Sequence, residues 1–133
     1  MHKTFLITAA ILGSFTVALG AFAAHGLKRV FTAENLQVFE TAVKYQFYHT
    51  LALLAAGILW QSFGGTPLLW AGRLFIAGII VFCGSLYLLC LSRHCNWGAG
   101  WLGAITPLGG LCFIAGWLLV AWAVAGSRSS AAL

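Results

Sequence analysis

Residues 44–60 read KYQFYHTLALLAAGILW. The apolar run inside this stretch starts at Thr50 and ends at Phe63. That is short for a helix crossing the ~30 Å hydrocarbon core, which takes about 20 apolar residues. Spanning length is reached only if the helix starts earlier, near residue 47, so that Phe47, Tyr48 and His49 enter its first turns. KYQFYHT is then either a chemical site at the mouth of a membrane bundle or the polar collar by which a helix enters the bilayer.

The composition makes a membrane setting the premise. Of 133 residues 62% are hydrophobic and only 7% charged, with a mean hydropathy of +0.97. A soluble domain is about a quarter charged. The net charge of +5 comes from single Lys and Arg residues near the ends of apolar runs, where they read as headgroup contacts and topology signals. No basic stripe with interleaved aromatics exists, so no nucleic-acid partner is expected. Cys83, Cys90 and Cys112 lie inside apolar runs and Cys95 just outside one; they are expected to pack as small hydrophobes rather than to form disulfides.

Working outward, three longer runs flank the first: about 5–24, 69–91 and 101–125. With 47–63 they predict one all-α domain over residues 1–133, a compact bundle of four transmembrane helices. The first run resembles a secretory signal, with Lys3 ahead of it and Ala21-Phe22-Ala23 at its end. Its apolar length exceeds the usual ~7–15 residues of a signal core, so it is read as a retained span.

Between runs one and two, Gly26 is expected to end the first helix and Thr32 to cap the next, with Glu34 in its first turn. Leu36, Phe39, Val43 and Phe47 recur at helical spacing, while Gln37, Glu40 and Lys44 take another face. Residues 33–46 therefore predict an amphipathic helix at the interface, running on into the second span. Glu40 and Lys44 stand in the favourable order for an i,i+4 pair.

Small residues predict where helices meet, because they let backbones approach. Ala9, Gly13, Thr16 and Gly20 form one stripe, Gly109, Cys112, Gly116 and Ala123 another, and Ala77/Gly78 and Gly84/Ser85 lie a heptad apart. Gly13, Gly20, Gly84, Gly109 and Gly116 are the expected packing positions, and Pro107 the expected kink.

Lys28, Arg29, Lys44 and Arg93 fall at one membrane face, and Lys3, Arg73 and Arg128 at the other. Four against three favours an N-out, C-out orientation by a small margin. On the first face stand the polar candidates: His25, Glu40, Lys44, Tyr45, Gln46, His49, Arg93 and His94.

Three functions can be set against these residues. Transport asks for an ionisable group in the membrane interior; Arg73 and His49 read as lying near span ends, and the first-span carboxylate of small multidrug transporters is absent. An interfacial enzyme could use His25, His49 and His94 for a metal or haem, but no CxxC or HExxH spacing is present, and neither metal nor cofactor is expected. A structural bundle that binds lipid, a second copy or a larger membrane complex asks for smooth helix faces, an interfacial helix and aromatic anchors. Trp60, Trp70, Trp97 and Trp101 fall at span ends as such anchors do. The structural reading leads.

GAFAAHGL (20–27), TAVKYQFYHTLALL (41–54), GSLYLL (84–89), ITPLGG (105–110) and AGWLL (115–119) occur in this order. Together they resemble the domain-of-unknown-function 423 (UPF0382) family of small inner-membrane proteins, whose relatives include animal transmembrane protein 256. The resemblance covers almost the whole chain and implies a four-span protein of the bacterial inner membrane. The motif positions include His25, Gly26, Tyr45, Gln46, His49, Thr106, Pro107 and Gly109. The resemblance implies no reaction, substrate or cofactor.

Overall fold

A computed structural model describes residues 1–127. Arg128, used above in weighing orientation, lies outside the described residues. Among them every regular element is helical: α1 (Lys3–His25), α2 (Ala33–Phe63), α3 (Thr66–Gly78), α4 (Gly84–Cys95) and α5 (Leu102–Ser127). A 3₁₀ turn, Leu27–Arg29, follows α1, and a π-helical turn, Ile79–Cys83, joins α3 to α4. Three stretches are long and apolar enough to cross a membrane: Lys3–Arg29, Thr66–Cys95 and Leu102–Ser127. α2 has 31 residues, but its first half carries Glu34, Asn35, Gln37, Glu40, Lys44 and Gln46 and dilutes its hydropathy.

The helix ends follow local chemistry. The His2 side chain accepts a hydrogen bond from the Phe5 N–H, and Thr32 Oγ1 from the Asn35 N–H, each satisfying an amide at a helix start. Gly64 and Gly65 form the link between α2 and α3, and a proline stands in the first turn of α3, where its missing N–H costs nothing. α4 stops at Asn96, whose left-handed φ of 57° lets its own and the following N–H return to the Ser92 carbonyl.

Consecutive long helices run antiparallel. Along α1 and α2, Gly13 faces Thr50, Thr16 faces Gln46 and Gly20 faces Val43. α2 runs back along α3 and α4, pairing His49 with Phe75, Tyr45 with Phe82 and Asn35 with Cys90. α5 reverses once more, with Gly116 on Phe75, Gly109 on Phe82 and Thr106 on Ser85. α2 touches all the other helices. The largest fully buried side chains, Phe75, Leu53 and Leu68, fill the centre.

Some expectations hold and others change. Residues 33–46 run on without a break into the second half of α2, as expected, and pack against the end of α1, where Gly20 meets Val43. Of Leu36, Phe39, Val43 and Phe47, Phe39 is buried and Leu36 and Val43 pack against it from the flank, while Phe47 is exposed and leaves the inward side. The inward side is the stripe Asn35, Phe39, Ala42, Gln46, His49, Leu53, Ala56, at alternating spacings of four and three. That 3.5-residue period keeps one seam of a helix facing its neighbours over its whole length. Glu40 and Lys44 form no ion pair; among the described residues the contact within 4 Å is Arg93–Glu34, at 3.7 Å. α5 continues on both sides of Pro107, the expected kink position.

The glycines sort by what a Cβ would meet. At Gly116 it would come within 2.7 Å of the Phe75 ring, and at Gly109 within 2.7 Å of the Phe82 Cα. Gly13 and Gly20 sit at ordinary contact distance, 3.7 and 3.5 Å. Gly84 is corrected: nothing lies within 4 Å of its Cβ position, so it packs no helix. Gly57, Gly72 and Gly78 make close crossings that the stripes did not include, against Leu6, Phe5 and Phe113.

Candidate functional site

The polar candidates do not form one face. Two of them, Gln46 and His49, are buried, at 4% and 5% exposure, one turn apart on the inner seam of α2. They lie halfway along the bundle, opposite Gly13–Thr16 of α1, Phe75 of α3 and Phe113 of α5. The other candidates stay outside: Glu40, Lys44 and Tyr45 on the outer side of α2, His25 at the end of α1, Arg93 and His94 at the end of α4.

Gln46 uses both ends of its amide. Its Nε2 donates to Thr16 Oγ1 at 2.8 Å, and its Oε1 accepts from the Tyr87 hydroxyl at 2.8 Å. Thr16 Oγ1 in turn donates a hydrogen bond to the Leu12 carbonyl at 2.7 Å. This chain ties α1, α2 and α4 together and leaves the amide one orientation. In an apolar surround such interhelical bonds are worth about 0.6 kcal/mol on average and up to ~2.

His49 binds α2 to α5. Its Nδ1 lies 2.8 Å from the Tyr45 carbonyl oxygen, and a carbonyl only accepts, so Nδ1 carries the proton. The lone pair is then on Nε2, where it accepts from Trp117 Nε1 at 3.3 Å. The ring stacks on Phe113 with centroids 3.4 Å apart and planes 7° off parallel. Nearby, Ser85 Oγ and Thr106 Oγ1 join α4 to α5 at 2.7 Å. Thr50 Oγ1 is buried without a partner.

This overturns the placement of His49 at a span edge. The fourteen residues from Asn35 to His49 cover about 21 Å of helix, and Asn35 is already level with Cys90 and one turn from Arg93. His49 is thus far from His94, and the three histidines supply no common ligand set. Among the described residues no three His, Cys, Asp or Glu side chains gather as a metal site would need. The cysteines are free, with Cys83 and Cys90 buried.

A second polar group forms at the charged end. Arg93 meets Glu34, the His94 ring rests 5.3 Å from Phe31, and Asn35 Nδ2 donates to the Cys90 carbonyl at 3.0 Å while Cys90 Sγ donates back to the Asn35 carbonyl at 3.3 Å. Phe31, Glu34, Asn35, Arg93 and His94 border an open cleft of about 330 Å³.

Asn35, Thr16, Tyr87 and Trp117 were absent from the sequence candidates. Thr16 was read only as a packing position on the small stripe of α1, and Asn35 carried a signal in falling on the 3.5-residue seam of α2. Tyr87 and Trp117 carried none, because an aromatic in an apolar run is ordinarily core or lipid-facing.

Residues 19–110 match the family model described as "Protein of unknown function (DUF423)". The chain is 44% identical to the UPF0382 membrane protein SSP2132 of Staphylococcus saprophyticus, over 89% of this chain and 93% of that one. It is 42% identical to the UPF0382 membrane protein YwdK of Bacillus subtilis, over 89% and 93%. Against the UPF0382 inner membrane protein YgdD of Escherichia coli strain K12 the identity is 39%, over 86% and 84%. No solved structure matches.

Proposed function

We propose, from the premise that the chain belongs to the DUF423 family of membrane proteins, that it is a structural membrane bundle acting through its surface, by holding lipid or a partner protein. One observation carries the reading: the interior polar groups Gln46, His49, Ser85 and Thr106 are spent on joining the four long helices to one another. An inside committed to self-assembly leaves the outer helix faces and the bundle ends as the working surfaces. The protein is a multi-pass protein of the inner membrane in this reading, with α2 crossing beside α1. Lys28, Arg29 and Arg93 at one end against Lys3 and Arg73 at the other favour the N-out, C-out orientation.

Affinity purification of the tagged full chain from native membranes in mild detergent tests this. Recovery with a stoichiometric protein or lipid supports the reading, and recovery of the bare chain overturns it.

Proton-coupled transport has one observation in its favour, a titratable side chain at mid-bundle, His49. Both of its ring nitrogens are engaged and one ring face is covered by Phe113, which speaks for a joint rather than a relay. Proteoliposomes should show no proton flux above the empty-liposome rate.

A further inference from the structure

α2 carries a second stripe on the side away from its buried seam. Thr41, Lys44, Tyr48, Leu51, Ala55 and Ile58 follow at alternating spacings of three and four, so they too hold one line along the helix. All but Thr41 are exposed, and Glu40, also exposed, stands one turn from Lys44 towards the charged end. We infer that this stripe is the interface for a second copy of the chain, with Lys44 of each copy paired to Glu40 of the other. The inference rests on the reading of the protein as a bundle that works through its surface, and it names the partner.

Depth carries the argument. Val43 packs against Gly20, which lies five residues, about 7.5 Å, from the end of α1. Lys44 therefore stands beside the interior of a stretch long and apolar enough to cross the membrane. Tyr48 stands deeper still, level with the part of α1 between Gly13 and Thr16. Around the level of Lys44 the exposed side chains of α1 and α5 are apolar, Val17 and Phe22 on one and Leu108 and Leu111 on the other. Those faces suit lipid. An ammonium, a carboxylate and a phenol do not, because hydrocarbon offers them no partner.

Their own chain does not pair the two charges. Among the described residues the ion contact within 4 Å is Arg93–Glu34, and the cation over an aromatic ring is Arg73 on Trp70. A lysine reaching from this depth towards the headgroups would pass Glu40, yet no contact joins them.

A copy of the same stripe answers both charges. Chains inserted in one orientation meet about a two-fold axis along the membrane normal, so α2 lies parallel to its copy and each contact is made twice. Glu40 is then offset from Lys44 of the other copy by four residues, about 6 Å along the axis, which two long side chains can close. Further along, Tyr48 meets its counterpart, and Ala55 lets the two backbones approach. A foreign protein would need a base and an acid of its own in matching order, and the acyl chains of a lipid bring no charge to this depth.

Oxidative cross-linking of the full chain in native membranes tests this. Ala55→Cys should give a disulfide-linked dimer. Ile114→Cys, on the outer face of α5, should give no more than the unaltered chain, whose exposed Cys95 sets the background. Added to Ala55→Cys, either Glu40→Lys or Lys44→Glu should slow dimer formation about tenfold, since like charges then face each other. Copies with Glu40→Lys under one tag and Lys44→Glu under another should cross-link to each other at the original rate, which misfolded chains could not do. Background yield from Ala55→Cys, or a rate unaffected by Glu40→Lys, overturns the proposal. If affinity purification then still returns lipid or a different protein, the second-copy assignment alone fails and the surface reading stands; recovery of the bare chain sinks both.

Discussion

Gln46 illustrates how a side chain is misread when judged alone. Next to Lys44 and Tyr45 it looks like part of a polar collar, and its polarity argues against a core position. Yet Gln46 lies on the same seam as Phe39, Ala42, Leu53 and Ala56, and its amide is fully occupied by Thr16 and Tyr87. Burial is tolerable because both amide ends are paired; an unpaired amide there would cost several kcal/mol. Gln46→Leu should therefore lower the unfolding free energy in mixed detergent micelles by about 1–2 kcal/mol. Combined with Tyr87→Phe, the loss should be less than the sum of the two single losses, because both variants remove the same bond. Strictly additive losses would show that the two groups are not coupled.

At the scale of elements, α2 and the α3–α4 helix hold the departures from a simple reading. The collar and the second span are one helix because the seam at 3.5-residue spacing continues across residues 46–49 without a change of face. In the other helix, the Gly84 N–H reaches back five residues to the Ile79 carbonyl, widening the turn Ile79–Cys83. Phe82 in that turn lies against Gly109 of α5, so closely that a Cβ at Gly109 would fall on the Phe82 backbone.

The two glycines on either side of this feature should respond oppositely to alanine. Gly109→Ala places a methyl into the Phe82 backbone and should lower the melting temperature in detergent. Gly84→Ala meets open space in a helix and should raise stability by up to about 0.5–1 kcal/mol. Shifts of the same sign would remove the distinction drawn between them.

For the whole molecule, four antiparallel long helices return the chain to the end from which it started. Alkaline phosphatase fused after the last residue should be active and green fluorescent protein at the same place dark, as the N-out, C-out proposal requires. The reverse pair of results would invert the orientation while keeping both ends of the bundle together.

The composition and the apolar runs determined an all-helical membrane protein, because charge content and hydrophobic length are local properties. Close packing at Gly109 and Gly116 was also suggested by local spacing. Only the tertiary structure decided that Gln46 and His49 point inward, that Gly84 packs nothing, and that Asn35 keeps an unpaired oxygen under a charged cleft. These depend on which face of each helix its neighbours cover and which donors they bring, and a polar side chain in a sequence carries no record of its partner.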